Sequence, residues 1–301
     1  MKKLFIIVLA YNGGKDLLSC LKSLKSALVP KGWQAHCLVV DNGSRNGSIS
    51  LLKKQFSNLN IIENKKNLGF AGGNNIGIDF ALNQGASAIL LLNQDTRVNA
   101  DFILPLLAQL YSGKKVAIAA PVICFRSQGN LVYDLGAISH PLLGLSVHKN
   151  CADIDVSLPL KRDFVSGCCL MIKAELFKKI GLMHEDYFLY YEDDDFCHHA
   201  RKAGYGIYVV PASQIFHRQS TAAGFFSPLS AYYNSRNRLL FTLRNQPARL
   251  PLVLINSVSR CLYLLFKNHA VAQASARGIA DFLCCKLGQS DRFRPMAVKT
   301  K

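Results

Sequence analysis

The sequence predicts an α/β fold: a mainly parallel sheet flanked by helices, followed by a C-terminal helical appendage. Three observations carry this. Short apolar runs alternate with stretches of helical spacing through the first hundred residues. Polar clusters (Tyr11-Asn12, Asp41-Asn42 and Asn93-Gln94-Asp95) close successive apolar runs. After Tyr232 the composition shifts to Arg and Lys set among long apolar stretches.

Residues 4–10 read as the first strand, because an unbroken apolar run is what a strand buried on both faces shows. The preceding Met1-Lys2-Lys3 imitates a signal peptide, but the run is short and Tyr11-Asn12-Gly13-Gly14-Lys15 offers no cleavage site. Residues 15–26 place Leu17, Leu18, Leu21 and Leu24 at helical spacing. Residues 36–40 form the next strand and end on Asp41-Asn42-Gly43-Ser44, a turn opening a helix over 49–56. A third strand follows at 60–63, a helix at 72–83, and a strand at 88–92 that runs into Asn93-Gln94-Asp95. This βα alternation predicts a parallel sheet that binds ligands beyond the carboxyl ends of its strands, so the three polar clusters converge on one crevice. Residues 121–160 turn irregular, with scattered Gly, Pro and His. Residues 163–173 predict a strand entering a helix at 175–180. After the acidic run Glu192-Asp193-Asp194-Asp195 come a helix at 197–203, a strand at 207–210 and Phe216-His217-Arg218.

The chain has 301 residues, half of them apolar, which is enough to bury a large core. With 18% charged and 10% aromatic residues, a disordered chain is excluded. A net charge of +17 points to an anionic partner: nucleic acid, a phospholipid surface or a phosphate-bearing substrate. Nucleic acid is set aside, because the basic residues fall in an apolar tail and no basic–aromatic recognition motif occurs. Ten cysteines without CxxC or Cys/His ligand spacing read as reduced thiols of a cytoplasmic protein. The tail carries Arg236, Arg238, Arg244, Arg249, Arg260, Lys267, Arg277, Lys286, Arg292 and Arg294. Its stretch 250–266, interrupted by Pro251, Asn256 and Arg260, reads as too short and polar for a span. It predicts a basic amphipathic segment lying on an anionic membrane. The alternative is a helical layer packed on the core with basic outer faces.

Crowded carboxylates are stable only when solvated, hydrogen-bonded or facing a cation. The run Glu192–Asp195, placed after the aromatic strip Phe188-Leu189-Tyr190-Tyr191, is therefore a candidate for base catalysis or metal work. The alternative is a solvated helix start. In Asn93-Gln94-Asp95, a carboxylate with an amide two residues before it can hold a hard cation beside substrate phosphates. The glycine-rich Asn67-Leu68-Gly69-Phe70-Ala71-Gly72-Gly73-Asn74-Asn75 offers backbone amides to an anionic ligand, though it has neither Walker A nor dinucleotide spacing. His217, paired with Asp95, would complete an Asp/His site for Mn²⁺ or Mg²⁺.

Taken in this order, the motifs resemble the family 2 inverting glycosyltransferases of GT-A fold, above all their bacterial rhamnosyltransferase-like branch. The resemblance rests on Val8-Leu9-Ala10-Tyr11-Asn12, Val39-Val40-Asp41-Asn42-Gly43-Ser44, the glycine-rich segment and Leu92-Asn93-Gln94-Asp95. It continues through Phe164-Val165-Ser166-Gly167, the aromatic–acidic strip, Arg201, Gly204-Tyr205 and His217 with Ser220, and so covers residues 4–245. It implies a GT-A catalytic domain over 1–245, with a Rossmann-like nucleotide-sugar half (1–100) and an acceptor half (101–245), then a membrane-associated tail (246–301). It also implies roles: Tyr11 and Asp41 on the nucleoside, and Asn67 and Gly69 lining the donor pocket. Asn93 and Asp95 stand at the family's Asp-X-Asp position, where Asn replaces the first Asp and leaves Asp95 as the main acidic metal ligand, with His217 the second. Asp193 would be the general base and Glu192 its partner. Arg236 and Arg238 would meet the acceptor's diphosphate or lipid headgroups, or be ordinary surface charge. Met183-His184-Glu185 departs from the pattern, since the family often has Asp before Glu. The implied partners are a dTDP-sugar donor (dTDP-rhamnose first, galactofuranose or another hexose as alternatives) and a lipid-linked, undecaprenyl diphosphate glycan acceptor of O-antigen type. The implied place is the cytoplasmic face of a bacterial inner membrane.

Overall fold

The computed structural model describes residues 1–127, 129–139, 146–151, 157–218 and 227–293; Ser220 and Arg294 lie outside them. In chain order the elements are β1 (Lys2–Ala10), α1 (Gly14–Leu24), β2 (Trp33–Asp41), α2 (Ser48–Gln55), β3 (Asn60–Glu63), α3 (Gly69–Asn83) and β4 (Ala88–Asn93). Next come β5 (Thr96–Val98), α4 (Ile103–Leu110), β6 (Val116–Ser127), β7 (Asn130–Ser139), β8 (Ser146–Cys151), β9 (Leu160–Arg162), β10 (Cys169–Lys173) and α5 (Ala174–Ile180). The chain closes with α6 (Glu192–Lys202), β11 (Gly206–His217), α7 (Pro228–Asn245), α8 (Leu250–Lys267) and α9 (His269–Leu283).

One sheet runs in the order β3-β2-β1-β4-β10-β6-β11-β5. Its first four strands are parallel, and β10 lies antiparallel between β4 and β6. Because side chains alternate along a strand, β1 feeds two cores. Leu4, Ile6, Val8 and Ala10 pack with Leu17, Leu52 and Phe102 on one face, while Phe5 and Ile7 pack with Ile78, Phe177 and Phe196 on the other. Each such side chain contributes roughly 1.5–3 kcal/mol on burial, so the sheet is held from both sides. Gly77 lets α3 lie close on the sheet, since a Cβ there would come 2.7 Å from Ile7 Cγ2.

The structure corrects several boundaries. Much of the stretch read as irregular is strand: β6 continues to Ser127, β7 pairs with β6, and β8 pairs with β7, both antiparallel. The strand read over 163–173 begins only at Cys169. The strand read as ending at Val210 runs on to His217, past Pro211, through a register shift between Val210 and Gln214. Such a bulge is what allows proline inside a strand. The helix read from Cys197 starts at Glu192, so the acidic run is its first turn.

The helical layer begins at Pro228, within the stretch read as the acceptor half, and α7 packs along α9. This much is the packed layer named as the alternative. Helix α8 sits outside it, burying only Val253, Ser257 and Cys261. Its outer face shows Leu252, Ile255, Leu262, Tyr263 and Phe266, the last 90% exposed. Residues Pro247–Lys267, with mean hydropathy 1.4, are long and apolar enough to cross a membrane by length and composition. The segment is thus longer and more apolar than the sequence reading allowed.

Candidate active site

Strand register builds the crevice. Ala10 stands opposite Asp41 and Leu9 opposite Asn93, so the loops after β1, β2 and β4 emerge side by side. Gln94 braces the Tyr11 backbone both ways: Tyr11 N–H donates to Gln94 Oε1 (3.0 Å) and Gln94 Nε2 donates to Tyr11 O (2.9 Å). The Asp41 carboxylate accepts the Ser44 N–H at 3.2 Å; burial pushes its pKa up, against the pull of Ser44. Asn42, quoted in the sequence but given no role there, is the hub. Its Nδ2 donates to Asn67 Oδ1 (3.0 Å) and Gly69 O (2.8 Å), and its Oδ1 accepts the Leu68 N–H (3.0 Å).

These bonds change the meaning of the glycine-rich segment. Leu68 N–H is taken by Asn42, Gly69 N–H by Asn67 Oδ1 (2.8 Å) and Phe70 N–H by Phe188 O (2.7 Å). Three of the amides expected to face a ligand, those of Leu68, Gly69 and Phe70, are therefore engaged within the protein. Gly69, at φ +79°, is demanded by the close approach of Phe188, whose carbonyl would lie 2.3 Å from a Cβ. The segment thus pins the nucleotide half to the aromatic strip of the acceptor half.

Asp95 and His217 come together as expected. The antiparallel pairing of β5 and β11 sets His217 opposite Thr96, which leaves His217 Nε2 3.2 Å from Asp95 Oδ1. Burial opposes charge on His217, but the Cys168 sulfur and the Asp95 carboxylate outweigh it and hold the ring above the usual imidazole range. Burial also raises the Cys168 thiol, against the pull of His217. One carboxylate oxygen and one imidazole nitrogen, partly buried at the strand ends, fit a divalent cation that substrate phosphates would complete. That cation and the His217 proton would compete for the same lone pair.

Glu192 and Asp193 differ in surroundings. Asp193 Oδ2 accepts the Gly167 N–H (2.8 Å) and its Oδ1 the Asp194 N–H (3.0 Å), bonds that favour the anion. Glu192 is 4% exposed, and its Oε2 has no hydrogen-bond partner among the described residues. Burial and the neighbouring Asp193 charge raise Glu192 well above the carboxylate range; burial raises Asp193 too, against its backbone donors. Of the two, Glu192 is shifted further toward its protonated form, while the Gly167 and Asp194 N–H groups favour the anion at Asp193. Glu192, neutral when folded and ionised when unfolded, lowers stability as pH rises above its unfolded pKa, by up to about 1.4 kcal/mol per pH unit. Glu192→Gln removes that dependence. Thermal melts are expected to show its Tm relative to the parent rising as pH climbs above about 5; a constant gap would refute the assignment.

Arg236 and Arg238 are neither surface charge nor turned to a headgroup. Arg236 is 1% exposed and donates to Gly288 O (2.6 Å), Tyr187 O (2.9 Å), Asp186 O (3.3 Å) and Asn237 Oδ1 (2.9 Å). Arg238 is also buried, with Nη1 donating to Asn256 Oδ1 (2.9 Å). Asn237 Nδ2 adds bonds to Tyr187 O, Leu189 O and Tyr190 O. Together Arg236 and Asn237 grip a loop in which Phe188, Tyr190 and Tyr191 have φ of 63°, 67° and 75°. Bulky residues held there are strained, and this loop leads directly into Glu192 and Asp193.

Residues 5–181 fit the model of a family described as glycosyl transferase family 2. The chain is 28% identical over 251 residues to the low-salt glycan biosynthesis hexosyltransferase Agl10 of Haloferax volcanii, covering 79% of this chain and 74% of that protein. It is 26% identical to the dTDP-rhamnosyl transferase RfbF of Shigella flexneri, over 80% of each. It is 22% identical to an N-acetylglucosaminyl-diphospho-decaprenol L-rhamnosyltransferase of Mycobacterium tuberculosis, covering 76% and 81%. Among solved structures, GalNAc-T7 with UDP, GalNAc and Mn²⁺ superposes with a TM-score of 0.61 at 15% identity, over 79% of this chain and 51% of that one. The fold is of the GT-A type seen there.

Proposed function

Since this chain belongs to glycosyl transferase family 2 and is a glycosyltransferase, we propose that it transfers rhamnose from dTDP-rhamnose, with inversion, to a lipid-linked glycan. The observation that carries the reading is the crevice, with the Asp95–His217 pair among the strand ends and Asp193 held by Gly167 behind the glycine-rich segment. Similarity to rhamnosyltransferases over most of the chain supports the donor. Another hexose is the second reading, favoured by the Haloferax hexosyltransferase.

In this reading Tyr11 and Asp41 hold the nucleoside, with Asn67, Gly69 and Asn93 shaping the pocket. Asp95 and His217 hold Mn²⁺ or Mg²⁺, which when bound supplies positive charge for the leaving diphosphate. Asp193 takes the proton from the acceptor hydroxyl as that oxygen attacks the anomeric carbon from the opposite face. Glu192, carrying its own proton, leaves Asp193 the only ionised member of the pair. The exposed apolar face of α8, with Arg249, Arg260 and Lys267 on the same helical segment, would seat on an anionic lipid surface. That placement is peripheral, on the cytoplasmic face of an inner membrane, beside an undecaprenyl diphosphate acceptor.

Thermal-shift screening of nucleotide sugars with and without Mn²⁺, followed by transfer assays, tests the reading. dTDP-rhamnose should stabilise the chain in a Mn²⁺-dependent way, and His217→Ala should raise the Mn²⁺ requirement about 10- to 100-fold. Stabilisation by no nucleotide sugar would overturn it.

A further inference from the structure

We propose that His184, Asp195 and His199 bind a transition-metal ion of the Zn²⁺ type, at a site distinct from the Asp95–His217 pair. Asp195 and His199 lie one turn apart on α6, and the loop before it brings in His184, so that the ligand atoms of all three fall within 4.8 Å of one another. His184 Nδ1 is 2.5 Å and His199 Nε2 3.8 Å from Asp195 Oδ2. Bonds of about 2.0–2.2 Å in a tetrahedral site put ligand atoms about 3.3 Å apart, between these two separations. Closing on an ion requires small shifts of the two imidazoles, and their side chains, 47% exposed for His184 and 35% for His199, have room to make them.

The carboxylate is already oriented. Asp195 is 1% exposed, and its Oδ1 accepts Tyr187 OH (3.0 Å) and Asn245 Nδ2 (2.6 Å), turning Oδ2 toward the histidines. Hydrogen bonds of this kind fix metal ligands from behind. The two imidazoles stay part-exposed, which gives an ion an entry path. Arg244, a cation acting on His184, is engaged by Asp186. His184 is also the position where the chain departs from its motif, having an imidazole where the family often has Asp. A set with two nitrogens favours Zn²⁺, Co²⁺ or Ni²⁺ over Mg²⁺ or Mn²⁺. Asp193, on the same helix, is turned instead to Gly167, so the ion would brace the loop against α6 and take no part at the sugar. The proposal does not depend on the donor's identity.

The test is Co²⁺ titration of the tag-free, EDTA-stripped chain, followed by visible absorption, with Zn²⁺ as competitor. One Co²⁺ per chain should give a ligand-field band that Zn²⁺ removes. His184→Ala and His199→Ala should each weaken binding at least about tenfold, while His217→Ala keeps the band. His184→Phe, which keeps a ring but has no ligand nitrogen, guards against misfolding and should also lose it; far-ultraviolet circular dichroism checks each variant. No band, or a band that survives in both histidine variants or disappears only in His217→Ala, would overturn the site.

Discussion

Asp193→Asn is expected to lower kcat about 10²- to 10⁴-fold, the range that positioned proton transfer contributes. The dissociation constant for the nucleotide sugar should stay within about twofold of the parent, because the change leaves the β1, β2 and β4 loops untouched. The amide oxygen can keep only one of the two bonds from the Gly167 and Asp194 N–H groups, so circular dichroism accompanies the kinetics to check that α6 keeps its start. The ability to take a proton is lost with the carboxylate. The pH profile gives a second readout: burial raises Asp193 above the ordinary carboxylate range, and only the ionised form is a base. Parent activity should therefore fall on acidification at a pH higher than an exposed aspartate would give, and the residual activity of Asp193→Asn should lose that limb. Calorimetric donor titration with single-turnover kinetics separates the two effects. Near-normal turnover would remove Asp193 from its role.

How far the sequence could be read depends on how local each cause is. The strands β1, β2 and β4 were legible because burial on both faces leaves unbroken apolar runs, and the crevice followed from topology. β7 and β8 were not, because half-exposed antiparallel strands around Gly136 and His148 carry no such run. The Asp95–His217 pair rested on motif order, and β5–β11 register then supplied its geometry. Asn42 and Gly167 escaped because their bonds join residues about 25 apart in sequence, to Asn67 and to Asp193. The metal-type cluster escaped for a similar reason. Asp195 and His199 have helical ligand spacing, but the third member lies upstream, across an aromatic loop.

Arg236 shows a signal that was present and outweighed. Arginine is ordinarily exposed, yet Tyr232, Tyr233, Arg236, Asn237 and Leu240 mark one buried stripe of α7 at helical spacing. The consequence is large. Arg236→Met fills much of the volume but takes the buried donor from the Gly288 carbonyl, while Tyr187 O keeps Asn237 Nδ2 and Asp186 O keeps the Gly288 N–H. Leaving such a buried group unsatisfied costs about 1–3 kcal/mol, so a Tm drop on the order of 5 °C is expected. Arg236→Lys should rescue little, since an ammonium cannot span the carbonyls that the planar fork reaches from between Tyr232 and Tyr233. At temperatures where the variant remains folded, the strained backbone at Phe188, Tyr190 and Tyr191 is free to relax, and Asp193 loses its position. Turnover should then fall while the nucleotide still binds, as in Asp193→Asn, but with the acid limb of the pH profile retained. A variant with unchanged Tm and kcat would show that the grip of α7 on this loop is dispensable.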